Sequence, residues 1–290
     1  MKHVWIMQNA LVFYMFILTA AGVACSQECA LVMGDSLASR CAYGAAIIDY
    51  KRYLFFNPDA QQTDEVYYRI ATAYINEEKY PEALNALENA IASTRYDSTK
   101  YRYRITHSAL LIASNRNAEA QQELTNVYYY TTSDKLKNKA MLFLAISYLN
   151  ESRWEDAARI LKEYFADSTS QLNVLDSLII AAQHCHGKSP TLAKWLSTFL
   201  PGAGQCYAGN WKSGFNAVAV NSLTIYLLVS AVIQERYSEA LITEAPLLYR
   251  YYKGNRHNAE RIAKNYTMSI TDSHKNAILL WLQKNIPTEN

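Results

Sequence analysis

The stretch YPEALNALENAI, residues 80–91, sets Ala83, Leu87 and Ala90 four and three positions apart, on one face of a helix. Three other stretches share its phase: YGAAIIDYKRYLFFNPD (43–59), RNAEAQQELTNV (116–127) and RWEDAARILKEYF (153–165). Aligned on Ala46, Ala83, Ala120 and Ala157 they recur every 37 residues, with Tyr50, Leu87, Leu124 and Leu161 four further on and Tyr53, Ala90, Val127 and Tyr164 three beyond those. Upstream, Met33–Gly34, Ile70–Ala71, His107–Ser108 and Leu144–Ala145 pair a large residue with a small one. Leu37, Tyr74, Leu111 and Tyr148 follow nine residues before each alanine. A small residue lets two helices approach closely while large neighbours fill the space around the contact, so the pattern predicts four helix pairs. With nine glycines and six prolines in 290 residues, a turn-rich β-sandwich or barrel is excluded, and an all-α chain is expected.

These residues resemble the tetratricopeptide (TPR) repeat. Tyr67, Ile70, Ala71, Tyr74, Tyr80, Ala83, Leu87 and Ala90 match it almost throughout, as do Met141, Leu144, Ala145, Tyr148, Trp154, Ala157 and Leu161. Gly34, Ala46, Tyr50 and Pro58 mark the first unit, and the third is the weakest because His107 stands where a large apolar residue is expected. The period exceeds the usual one of about 34, and the inter-repeat loops absorb the difference. The resemblance covers residues 27–168 and implies a TPR-like helix-pair solenoid with a concave groove lined by the first helix of each pair. It assigns to that groove Glu65, Tyr68, Thr72, Ile75 and Asn76, then Arg102, Ile105, Ala109, Ile112 and Ala113, then Lys139, Leu142, Ile146, Leu149 and Asn150. Past its rim the groove is mainly aliphatic, and apolar surface is not left wet. Either an apolar helix or peptide of a partner fills it or the chain's own C-terminal helices do.

Beyond the repeats, LNVLDSLIIAAQHC predicts a capping helix within 169–188, and Ser189-Pro190 opens another through TLAKWLSTFL. FLPGAGQCYAGNWKSGF (199–215) then holds four of the nine glycines. It is not a phosphate loop: after Gly204…Gly209 a P-loop needs Lys and Ser/Thr at once, and here Asn210-Trp211 intervene before Lys212-Ser213. It is not a dinucleotide fingerprint either, because Tyr207 stands where the third glycine belongs and a helix precedes it instead of a strand. Pro201, Gly202, Gly204, Gln205, Tyr207, Gly209 and Gly214 instead resemble the PGxGQxYxGxxxxG pattern of small bacterial envelope domains with two hydrophobic helices, often fused behind TPR units. That resemblance spans 190–267, and the glycines are expected to permit a tight junction between helices. Tyr207 and Trp211 are expected near a membrane interface.

Residues 214–233 carry no charge and are long enough to span a bilayer, although Asn216, Asn221 and Ser222 dilute them. The return segment YSEALITEAPLLYRYY carries Glu239, Glu244 and Pro246, which make an isolated lipid-facing helix costly. Lysines and arginines flank both ends of this hairpin, so the positive-inside rule favours cytoplasmic ends. The N-terminus argues the opposite: Lys2 and His3 precede an uncharged core from Ala10 to Ala24, and Ala24 and Ser26 have signal-peptidase spacing. A signal peptide over residues 1–25, cleaved near 24–26, would export the repeats. The hairpin then either packs on the solenoid and the membrane surface or spans despite its charges; otherwise the N-terminal segment does not export the chain. A short helix is expected in the tail, residues 268–290, around Ile278–Leu282.

Export permits cysteine pairing, but Cys25, Cys29, Cys41, Cys185 and Cys206 are odd in number and scattered; a Cys185–Cys206 bridge is one option and lipidation at Cys25 another. His184-Cys185-His186 is the best metal candidate, yet alternating neighbours on a helix point to different faces. No GxSxG, HExxH or DxDxDG pattern occurs, and a net charge of +2 gives no footprint for nucleic acid. The expectation is a non-enzymatic scaffold of the cell envelope, membrane-associated through its C-terminal domain, with no cofactor, metal or nucleotide. The alternative is an accessory factor for membrane-protein insertion, assembly or transport whose solenoid recruits the client.

Overall fold

In the computed structural model, which describes residues 29–166 and 168–286, the described elements are helical, and they include no strand. The expected signal peptide and Cys25 lie outside these residues. The chain divides into two compact units, one ending at Tyr164 and the other beginning at Phe165.

The first unit comprises α1 (Cys29–Ser39), α2 (Tyr43–Phe56), α3 (Thr63–Asn76), α4 (Tyr80–Ser93), α5 (Asp97–Ala113), α6 (Asn117–Tyr130), α7 (Asp134–Asn150) and α8 (Trp154–Tyr164). From α2 onward each helix packs on the next, and α5 also touches α7. The sequence period reappears in the backbone. Cys41, Glu78, Asn115 and Ser152 adopt left-handed φ of 60°, 59°, 60° and 59°, and they stand 37 residues apart. Each is followed by an amide that reaches back to the last turn of the preceding helix: Ala42 to Leu37, Lys79 to Tyr74, Arg116 to Leu111 and Arg153 to Tyr148, at 2.9, 3.0, 2.8 and 2.9 Å. These are Schellman caps built without glycine, and each turns the chain directly into the second helix of a pair.

Burial follows the same columns. Ala46, Ala83, Ala120 and Ala157 are fully buried, as are Leu87, Leu124 and Leu161, with Tyr50 nearly so. Each large side chain removed from water in this way contributes about 1.5–3 kcal/mol. The first pair compensates volume across its contact: a Cβ on Gly34 would stand 2.6 Å from the ring of Tyr50, so the glycine admits a tyrosine where the same two columns of the later pairs carry Ala71, Ser108 or Ala145 and leucine. Met33, expected to fill its pair, is 54% exposed. In the third pair the buried His107 meets Glu123 through Nδ1 at 2.9 Å, and Ser108 Oγ donates to the same carboxylate oxygen at 3.0 Å. A polar knot thus occupies the place of the missing apolar residue.

The second unit holds α9 (Thr169–Gln183), α10 (Pro190–Phe199), α11 (Ala203–Tyr207), α12 (Trp211–Ile233), α13 (Tyr237–Glu239), a π-helical segment (Ala240–Glu244) and α14 (Ala245–Asn285). α9, expected to cap the repeats, packs on α14 within this unit, where Phe165 also meets Trp281 edge to face at 5.1 Å. The 267/268 boundary disappears, because α14 runs unbroken through it and the expected tail helix is its last part. The π segment lies just before Pro246, which lacks an N–H and whose ring would strike the carbonyl four residues earlier; a widened turn absorbs both defects.

Candidate functional site

On α3 and α5, the first helices of the second and third pairs, the sequence-assigned groove residues Tyr68 and Arg102 come together. Tyr68 stacks on the buried Tyr103 with centroids 4.9 Å apart, and the Arg102 guanidinium lies 5.5 Å and 5.2 Å from the two ring centres. Glu65 closes the cluster, accepting from Arg102 Nη2 and from the Tyr103 hydroxyl at 3.0 Å each. Burial and the carboxylate hold the Tyr103 phenol well above its ordinary pKa, so it stays a donor. Thr72 and Asn76 hydrogen-bond within their own helix, to Tyr68 O and Thr72 O. Ile75, Ile112, Lys139, Leu142, Ile146 and Asn150 are half-buried. Ile105 and Leu149 are buried and present no surface to a ligand, which corrects their assignment to the groove. Helical spacing put Arg102 on the open face but missed Tyr103, which shares the inward column of Val66 and Ala140 at the same 37-residue period.

In the second unit the glycine motif is a packed junction. Gly202 takes φ +94°, and its Cβ would meet Gly214 O at 2.4 Å. A Cβ on Gly204 would stand 1.9 Å from Ala193 O, so α11 lies directly on α10. Gly209 supplies a second positive φ, +84°, in the turn before α12. Gln205 is fully buried and satisfied: Ser197 Oγ donates to its Oε1 at 2.9 Å, while its Nε2 donates to the Asn255 carbonyl at 3.2 Å and to the Asn255 side chain. Gly204 N donates to Ser197 Oγ at 3.0 Å, and Pro201 ends α10. Tyr207 is half-buried, its hydroxyl accepting from Ser189 N at 3.2 Å, and Trp211 is 63% exposed. Asn210 caps α12 through Ser213 N, and Ser213 Oγ accepts from Asn258 at 3.0 Å, so Ser213 serves helix packing. Ser197 and Asn255 were not legible as partners, because Asn255 lies 50 residues from Gln205.

The junction aims α12 and α14 as a hairpin. Its turn repeats the cap of the first unit: Glu235 takes φ 58° and Arg236 N reaches Ala231 O at 2.9 Å. α12 has 23 residues, about 35 Å at 1.5 Å per residue, and a mean hydropathy of 1.8 in its most apolar window. It is long and apolar enough to cross a bilayer, and only 17% of that window is buried. Phe215, Tyr226, Val229 and Ile233 on α12, Leu241 and Ile242 after the turn, and Phe199 and Leu200 at the end of α10 are all exposed.

Cys185 and Cys206 are both free thiols, so the bridge between them is not formed. His184 and His186 each turn Nδ1 to a nearby carbonyl, at 2.9 and 2.7 Å, and among the described residues no three His, Cys, Asp or Glu side chains converge as metal ligands. Comparison with models of known protein families and with curated proteins finds no match to this chain.

Proposed function

We propose that this chain is a non-enzymatic protein-interaction scaffold of a bacterial cell envelope, with a TPR-like solenoid for partner binding and a second unit that seats it in a membrane. The observation that carries the reading is the exposed apolar length of α12 together with the apolar residues beside it on α10 and after the turn. Apolar surface of this extent is stable against lipid and aggregation-prone in water. The recurrence of one cap geometry every 37 residues supports the repeat reading, since a solenoid is one supersecondary unit repeated with its turn. On the first unit, the Tyr68–Tyr103–Arg102–Glu65 cluster and the half-buried aliphatic residues Ile75, Ile112, Leu142 and Ile146 suit an apolar helix or peptide with a polar edge.

The test is a fractionation combined with a protease map, using tags after residue 168 and at residue 290. The protein is expected to remain in the membrane pellet after alkaline carbonate, with both tags digestible from the same, non-cytoplasmic side. Release by carbonate refutes the membrane seat; protection of both tags in spheroplasts refutes export.

A further inference from the structure

Charge is distributed unevenly along the hairpin of α12 and α14. From Ser177 to Gln234 the chain has no carboxylate, and over residues 245–271 of α14 it has only Glu260, which pairs with Lys194 at 3.0 Å. Glu235, Glu239 and Glu244 stand instead at the turn end, where Arg236 holds Glu239 at 2.7 Å. The uncompensated cations gather at the other end. Lys253, Arg261 and Lys264 share one face of α14, opposite the buried Asn255, Ala259 and Ala263, and all three are exposed. Lys212, also exposed, joins them at the start of α12. Its neighbour Ser213 accepts from Asn258 Nδ2 at 3.0 Å, and Asn258 Oδ1 accepts from Arg261 Nη2 at 2.8 Å, so the two helices are level there. None of the four cations pairs with a carboxylate among the described residues. In the first unit, by contrast, Arg69, Arg102, Arg116 and Arg153 all hold carboxylates.

We propose that Lys212, Lys253, Arg261 and Lys264 form a basic collar that binds the anionic headgroups of the membrane in which the hairpin is seated. The proposal rests on the membrane reading above. The collar lies where α12 begins, and beyond Lys212 that helix carries no further charge through Ile233. Headgroups meet hydrocarbon at such a level, and the exposed Trp211 is an aromatic ring suited to the same depth. Lys253, one turn further in, is within reach of a snorkelling lysine. Arg250 lies about 12 Å along α14 from Asn258, beside the apolar run, and is not part of the collar. A nucleic acid or an acidic protein also offers anions, but either would leave the adjoining apolar helix in water. An acidic lipid offers anion and hydrocarbon at successive depths, which is the order in which the hairpin presents cations and apolar side chains. The turn end, with its three glutamates, has no such surface, so the preference belongs to one leaflet.

The test uses the full-length protein reconstituted in mixed phosphatidylcholine and phosphatidylglycerol vesicles. Each lipid is added in turn with a spin label on its acyl chain, and electron paramagnetic resonance reads the share held at the protein. Phosphatidylglycerol is expected to associate about fivefold or more over phosphatidylcholine, the effect of a single cation near an anionic surface. The preference should fall in ~1 M salt, where the Debye length is about 3 Å. Glutamine at all four collar positions should bring the two labels together. The charge-keeping set Lys212→Arg, Lys253→Arg, Arg261→Lys and Lys264→Arg should retain the preference. So should glutamine at Arg40, Lys51, Arg95 and Lys284, exposed cations outside the collar. Equal association of the two labels with wild type overturns the collar, as does a preference that survives in the four-glutamine variant or is lost equally in the outside set. If the four-glutamine variant holds less phosphatidylcholine than wild type, its fold has changed, and the salt series on wild type decides: a preference unmoved by salt overturns the proposal. A chain that carbonate releases but that floats with phosphatidylglycerol vesicles alone keeps the collar and loses the inserted hairpin. A carbonate-resistant chain without headgroup preference does the reverse.

Discussion

Replacing Gly204 by alanine should cost the second unit about 4 kcal/mol, far more than the same change five residues away. A Cβ at 204 would stand 1.9 Å from the Ala193 carbonyl oxygen and 2.5 Å from Ser197 Oγ. Carbon and oxygen in contact sit near 3.3 Å, so α11 must retreat from α10 by more than about 1 Å. That displacement strains the packing by up to about 3 kcal/mol. It also stretches the Gly204 N–Ser197 and Ser197–Gln205 hydrogen bonds, now 3.0 and 2.9 Å, each worth about 1 kcal/mol. At Gly209 a Cβ would meet nothing within 4 Å, and the cost reduces to that of placing an L-residue at φ +84°, about 1 kcal/mol. At Gly254 alanine should stabilise by up to about 1 kcal/mol. Thermal melting followed by circular dichroism in detergent ranks the three variants: Gly204→Ala should fall by roughly 10 °C, Gly209→Ala by a few degrees, and Gly254→Ala should not fall. A Gly204→Ala protein that melts with Gly209→Ala would refute the packed-junction reasoning.

Two further predictions concern the repeats. Ala83→Leu forces a larger side chain into a fully buried helix contact and should lower stability by about 1–3 kcal/mol, while Ala92→Leu on the exposed side of the same helix should leave the urea midpoint within error. The Tyr128 hydroxyl donates to Glu163 at 2.6 Å, which lowers that carboxylate's pKa, with Lys137 adding to the effect, while the phenol itself rises to about 12. A lowered folded pKa stabilises above the ordinary value near 4.5 and stops doing so as pH falls through the folded one. Tyr128→Phe should therefore cost a few tenths of a kcal/mol at pH 7, the pair being largely solvated, and the difference from wild type should shrink as pH falls below 4.5. A difference that stays constant as pH falls would assign the loss to packing.

The sequence by itself determined the helical class, the 37-residue phase and the small-to-large pairing of helix faces. All three follow from local geometry: the helix repeat is fixed by the backbone, and a buried alanine column needs only its own spacing to be visible. It also showed that the glycine stretch does not match a P-loop, since the Lys-Ser pair is out of register. The αL caps at Cys41, Glu78, Asn115 and Ser152 repeat in structure without repeating in residue type, so spacing alone had no signal for them. Tertiary structure decided what each polar residue does. His107 is a buried partner of Glu123 because α6 brings a carboxylate to it; Tyr103 anchors the α3–α5 cluster from the inward side; Ile105 and Leu149 lose their surface to neighbouring helices. Gln205 and Asn255 join across 50 residues because the hairpin folds α14 back along α12, and the Asn221 Oδ1 is buried with no partner among the described residues. Such pairings depend on which helices meet, and helical periodicity records a residue's face but not what that face will touch.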